Sequence, residues 1–265
     1  MIRLPTIMVA PNGARRTRAD HPALPVTMIE IVATALACHA AGAGAIHAHV
    51  RDHEGRHVLD AGLYGELIAE LARAAPAMIV QITTEAAGRY CPAEQRAVVD
   101  AVAPVAVSVA LREMVAGPHD EAAARRFYGA CHDRDIAVQH ILYEPAEVVR
   151  LGRLIAAGIV PGAGLSVLFV LGRYAAGQES DPTDLAGFLA AAAGLAVAAD
   201  WMVCAFGRKE TAALDAALKA GGKVRVGFEN SLWHADGSLA RDNAERVGAI
   251  AALCGSGAGL EKRAW

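Results

Sequence analysis

Short apolar runs alternate with alanine-rich amphipathic stretches about eight times along this chain. The runs at 6–10, 45–50, 78–83, 105–110, 136–142, 165–170, 201–205 and 224–228 are rich in Val, Ile, Leu and Ala and are predicted as strands. Between them, 27–41, 63–74, 93–102, 121–132 and 185–198 carry apolar residues at helical spacing, and Thr27 with Glu30 three residues on reads as a capping box. Strands apolar nearly throughout suit a parallel sheet covered on its outer face. Regular βα repetition without a composition break predicts one α/β domain over 1–265, a (β/α)8 TIM barrel, with a doubly wound open sheet as the alternative. The Gly-containing tail after about residue 255 is expected to be loosely held.

Within the second run, Ile46-His47-Ala48-His49-Val50 interrupts the apolar pattern twice on the same side. Strand side chains alternate faces, so His47 and His49 point one way and Ile46, Ala48 and Val50 the other. Two imidazoles side by side suit one transition metal, usually zinc; a hydrogen-bonded pair of buried histidines is the plainer account. In a barrel, active groups gather at the C-terminal strand ends, and the eighth strand closes against the first, one strand from the second. The last run leads into Glu229, whose carboxylate can therefore meet both imidazoles. That makes a set of two histidines and one glutamate with positions left open for water or substrate, as a catalytic zinc site requires. A loop carboxylate capping the next segment is what Glu229 would be in isolation.

Composition narrows the class. The chain has 265 residues, 54% of them hydrophobic, and a net charge of −3. No run approaches the roughly 18 unbroken apolar residues of a membrane span, and no export signal is visible. Scattered arginines and a slightly acidic balance argue against nucleic acid. The five cysteines are isolated and form no CxxC, as expected of reduced residues in a cytoplasmic protein.

Several segments, in order, resemble the β-keto acid cleavage enzymes: Pro11-Asn12-Gly13-Ala14, Pro22-Ala23-Leu24-Pro25-Val26-Thr27, Gly42-Ala43-Gly44 leading into His47-Ala48-His49-Val50-Arg51-Asp52, Val80-Gln81-Ile82-Thr83-Thr84, Phe169-Val170-Leu171-Gly172 and Arg225-Val226-Gly227-Phe228-Glu229-Asn230. The resemblance runs over nearly the whole length. It implies a zinc-dependent barrel that condenses a β-keto acid with acetyl-CoA to give acetoacetate and a new acyl-CoA. Zinc would sit on the residues matching His47, His49 and Glu229, Arg225 would orient the acidic partner and stabilise anionic charge, and the protein would be an oligomer, often a homotetramer.

Departures from the family pattern bear on chemistry. Asn230 stands where the best-known member has an aspartate with a central base role, and an amide cannot accept a proton at neutral pH. His140, equally readable as a core histidine, or a zinc-bound hydroxide would then supply the base. Arg15 follows the Asn12 turn where the lysine-fermentation enzyme has a glutamate suited to an ammonium group. A guanidinium there repels the amino substrate and favours an anionic tail, unless it serves an ion pair or CoA phosphate. Thr83 keeps a hydroxyl where the family has serine. Ala110 replaces an expected threonine, leaving Ser108 as a weaker substitute one step deeper. Arg208, after the seventh run, is placed to meet CoA phosphates or solvent. A CoA-independent zinc hydrolase or aldolase-like lyase, and a non-catalytic ligand-binding descendant, are the alternative functions.

Overall fold

A computed structural model of the protein describes residues 2–256; the tail singled out above lies almost wholly outside them. Eight parallel strands close in sequence order: β1 Ile7–Val9, β2 Ala45–Ala48, β3 Ile79–Thr83, β4 Ala106–Ala110, β5 Ala137–Leu142, β6 Ser166–Leu171, β7 Asp200–Ala205 and β8 Lys223–Val226. β8 pairs with β1 through Met8↔Arg225 and Val9↔Val226, which excludes the open sheet. Helices α1 Met28–Ala40, α2 Ala61–Ala74, α3 Pro92–Val102, α4 Leu111–Met114, α5 Glu121–Asp133, α6 Pro145–Ala156, α7 Leu185–Ala192, α8 Glu210–Lys219 and α9 Asn243–Ser256 follow the strands. No helix among the described residues is long and apolar enough to cross a membrane.

Local sequence accounts for the helix starts. Thr27 Oγ1 accepts from Glu30 N at 3.3 Å while the Glu30 carboxylate accepts from Thr27 N at 2.9 Å, the capping box expected. Pro92 and Pro145 open α3 and α6, where a missing N–H costs nothing. The stretch 185–198 is helical only to Ala192; Gly194 follows at the point where the chain turns towards β7.

Alternation sorts the strand residues into two environments. Ile46, Ile82, Val107, Val109 and Phe169 face outward into the main core, against stripes such as Ile31, Ala35 and Cys38 of α1. The barrel interior mixes apolar residues such as Met8, Leu168 and Met202 with buried polar ones. Gln81 of β3 donates to Gln139 of β5 at 3.1 Å, and Gln139 reaches Met202 of β7 at 3.7 Å. Three odd-numbered strands thus supply one interior layer, as a closed barrel of this type demands. Above that layer, towards the C-terminal strand ends, the interior opens.

Candidate active site at the barrel mouth

β2 ends at Ala48, so His47 lies on the strand and His49 just beyond it, yet both rings face the mouth with Nε2 atoms 3.1 Å apart. The Glu229 Oε2 atom is 3.6 Å from each. β8 is shorter than the run 224–228, because Gly227 takes φ = +142° and turns the chain back over β1. A Cβ at Gly227 would lie 2.5 Å from the Ala10 carbonyl oxygen, so only glycine fits. Glu229 N then donates to Ala10 O at 3.0 Å, and its side chain hangs over the mouth. Gly13 (φ = +63°) approaches from the first loop, where a Cβ would meet Glu229 Cγ at 2.6 Å.

The three ligand atoms have the spacing and electronic state a metal needs. Bonds of about 2.0–2.1 Å around a tetrahedral ion put neighbouring donor atoms roughly 3.3 Å apart, close to the 3.1 and 3.6 Å edges here. His47 Nδ1 bonds Gln81 Oε1 at 2.9 Å, so the proton sits on Nδ1 and leaves Nε2 bare. His57 Nε2 bonds the Glu85 carbonyl at 3.0 Å, and its Nδ1 faces His49 Nδ1 at 3.4 Å. Only a His49 carrying its proton on Nδ1 satisfies that relay, so its Nε2 is bare as well. Burial, with Arg225 next in size, lowers the His47 imidazole to about 4. Burial and the neighbouring His57 and His47 rings push His49 well below its ordinary range. Two uncharged imidazoles thus aim lone pairs at one point beside a buried Glu229 oxygen with no hydrogen-bond partner. His47, His49 and Glu229 form a group that can hold a metal ion.

Arg225 projects from β8 into the same mouth, buried, with Nη2 3.0 Å from Glu229 Oε1 and 3.4 Å from Cys204 Sγ. Its Nε and Nη1 have no partner. A cleft beside the group of His47, His49 and Glu229 is walled in part by Thr83, Ala110, Tyr143, Arg173, Phe206 and Arg225. A second lies towards the first loop and shares Glu85, Arg173, Phe206 and Glu229 with it.

The other sequence-derived candidates are placed unevenly. Thr83 lines the cleft, its hydroxyl oxygen accepting from Glu85 N at 3.0 Å. Ser108 faces the interior with its hydroxyl unbonded, one step below Ala110. Asn12 has its amide committed to backbone, donating to Pro25 O and His49 O and accepting from His49 N, so it secures the His49 peptide. Arg15 is exposed at the rim with Nε 4.0 Å from Glu85 Oε1. Asn230 is buried with both amide atoms unbonded, and lines neither cleft. Arg208 stacks over Trp233 at 4.6 Å, away from the metal group. His140 is not brought to the mouth at all. Gln139 takes the inward place, so His140 faces outward onto the Tyr128 ring of α5, 5.1 Å between centroids. It is a core histidine lowered to about 4 by burial alone.

Three residues were missed. Glu85, two beyond β3, lies 3.9 Å from His49 Nε2, and burial followed by the Glu229 charge raises its carboxyl to about 7. Arg173 follows Gly172 at the end of β6. Both sit where the rule applied to His47 and Glu229 would have found them. His57 reaches the site through a bridge between Arg51 and His57, which no periodicity announces.

A closed βα barrel whose C-terminal mouth carries a histidine–carboxylate group able to hold a metal ion is an architecture suited to metal-assisted catalysis. The beta-keto acid cleavage enzyme profile matches residues 6–259, and the chain belongs to that family. It is 26% identical over 258 residues to 3-oxoadipate:acetyl-CoA acetyltransferase of Cupriavidus necator, covering 94% of this chain and 87% of the relative. It is 24% identical to 3-keto-5-aminohexanoate cleavage enzyme of Fusobacterium nucleatum subsp. nucleatum, with 93% and 90% covered. Among solved structures, ObcA in complex with oxaloacetate superposes with a TM-score of 0.65 at 16% identity. That alignment covers 87% of this chain and only 63% of ObcA. The 3-dehydroquinate dehydratase of Geobacillus kaustophilus HTA426 superposes at 0.62 and 12% identity, over 97% and 93% of the two chains. At these identities the two structures show the fold alone. The family and its relatives make this chain an enzyme of C–C bond cleavage with acyl transfer.

Proposed function

We propose that the chain is a zinc-dependent enzyme that takes a β-keto acid and acetyl-CoA to acetoacetate and a new acyl-CoA. The acyl group leaves the keto acid for the CoA sulfur, and the acetyl group takes its place on the acetate fragment, so the atoms balance without water. The observation that carries the reading is the convergence of three bare ligand atoms beside an Arg225 guanidinium with two unbonded nitrogens. When bound, zinc would supply a Lewis acid that polarises the keto oxygen. Arg225 would pair with the substrate carboxylate, and the Thr83 hydroxyl would orient it. Asn230 cannot take a proton; Glu85 is the carboxylate at the mouth able to do so, and Glu85→Gln is expected to lower kcat with the metal retained. Arg15 and Arg173 beside Glu85 disfavour an ammonium tail, so the amino substrate is excluded. The five unpaired cysteines support a reducing, cytoplasmic setting, and a homotetramer completes the reading by analogy with the family.

The test is elemental mass spectrometry on untagged protein, followed by an assay of 3-oxohexanoate with acetyl-CoA. About one zinc per chain, with acetoacetate and the acyl-CoA formed together, is expected. Consumption of the keto acid without acetyl-CoA would replace this reading with a lyase. Failure to bind metal would replace it with a ligand-binding descendant.

A further inference from the structure

The mouth holds more positive charge than the reaction just described uses. Arg173 has its guanidinium over the Phe206 ring, 5.2 Å from the centroid, a contact that favours this position at the wall. No carboxylate lies within ion-pair reach of it among the described residues. Half-buried Arg16 is similarly unpaired, making only one long contact of Nη2 with the Asn230 carbonyl at 3.4 Å. Both line the cleft on the first-loop side, with exposed Arg15 at its rim. Arg16 and Arg173 are close enough to repel one another electrostatically, so two like charges converge on one space. Against them stand Glu85 and Glu229, with Asp20 and Glu210 acting on Arg16 without forming an ion pair, and Glu229 is already engaged by Arg225, His47 and His49. A low-dielectric cleft with this imbalance attracts an anion.

We infer that this cleft receives a second carboxylate of the keto acid, with Arg173 and Arg16 as its receptors, so that the preferred substrate is a β-keto dicarboxylate. The inference rests on the proposed reaction and names its substrate class. A ligand whose keto acid end lies against Arg225 continues past Arg173, because Arg173 and Phe206 wall both clefts. The phosphates of CoA share the anionic chemistry, but a whole pantetheine arm separates them from the thioester. Arg173 belongs to the wall of the reacting cleft itself, and Arg16 to the cleft that adjoins it.

Titration calorimetry on the zinc-loaded protein tests this without turnover. The probes are 3-hydroxyadipate and 3-hydroxyhexanoate, equal in length and differing in the terminal carboxylate. The dianion is expected to bind at least about tenfold tighter. Arg173→Met and Arg16→Met should each reduce that ratio towards one by weakening the dianion far more than 3-hydroxyhexanoate, with zinc content unchanged. Arg173→Lys should keep part of it and serves if the methionine variant does not fold. Equal affinities in the unmodified protein would overturn the inference. So would variants that keep the ratio but raise the KM for acetyl-CoA, since the cleft would then be a phosphate seat. Acetoacetate formation from 3-oxohexanoate and acetyl-CoA reports separately on the reaction, so either reading can fail without the other.

Discussion

His47 and His140 are the same side chain, both buried on barrel strands, at 1% and 3% exposure, and both lowered to about 4. One belongs to a group able to hold a metal ion and the other to the core. The difference is strand parity. His47 faces inward, where Gln81 fixes its tautomer and His49 and Glu229 face its free nitrogen. His140 faces outward, where its Nδ1 has no partner and an aromatic ring covers it. A lowered imidazole pKa therefore reports burial in both places and function in neither; the partners of the second nitrogen are what distinguish them.

Breaking the inner group should have the largest effect. Glu229→Ala removes a ligand and leaves Arg225 without its carboxylate, so bound zinc should drop from about one per chain to near none. Turnover should fall by at least about a thousandfold, as befits several kcal/mol of lost Lewis-acid stabilisation. Elemental analysis and steady-state assay read both. His57→Leu sharpens the comparison one step out, because it frees the His49 tautomer without replacing a ligand. Zinc affinity should weaken by about ten- to a hundredfold, measured by competition with a chelator.

His140→Leu should have the smallest effect on activity, within about twofold, and a distinct one on acid stability. With its folded pKa below the unfolded value of about 6.5, His140 stays neutral in the fold while the unfolded chain takes up a proton. Its contribution is complete above that value and is lost as pH falls towards about 4. Denaturant titrations between those limits should lose about 1.4 kcal/mol per pH unit less in the variant than in the unmodified protein. An equal slope in both would mean that His140 is already protonated in the fold.

All eight strands were legible in the sequence, since each is a buried apolar run and such runs need no partner to be recognised. The observed ends fall within two residues of those expected. The co-facing of His47 and His49 was legible too, because a period of two is local. His140 was not, because Gln139 and His140 are adjacent and both polar, so no pattern says which faces inward. Glu85 and Arg173 were open to the same end-of-strand rule but carried no repeat to draw notice. His57 depends on a loop returning across Arg51, which no local signal encodes.

The sequence by itself determined the βα repetition, the face shared by His47 and His49, and the family, because these rest on short-range periodicity and on ordered motifs. Only the tertiary structure decided which polar residues meet. Closure of β8 on β1 and the turn at Gly227 bring Glu229 to the imidazoles. Packing against α5 takes His140 out of the site, and two loops far apart in the chain bring Arg16 and Arg173 to one cleft. Contacts between distant segments are settled by how the chain closes and packs, and no single window of sequence carries that information.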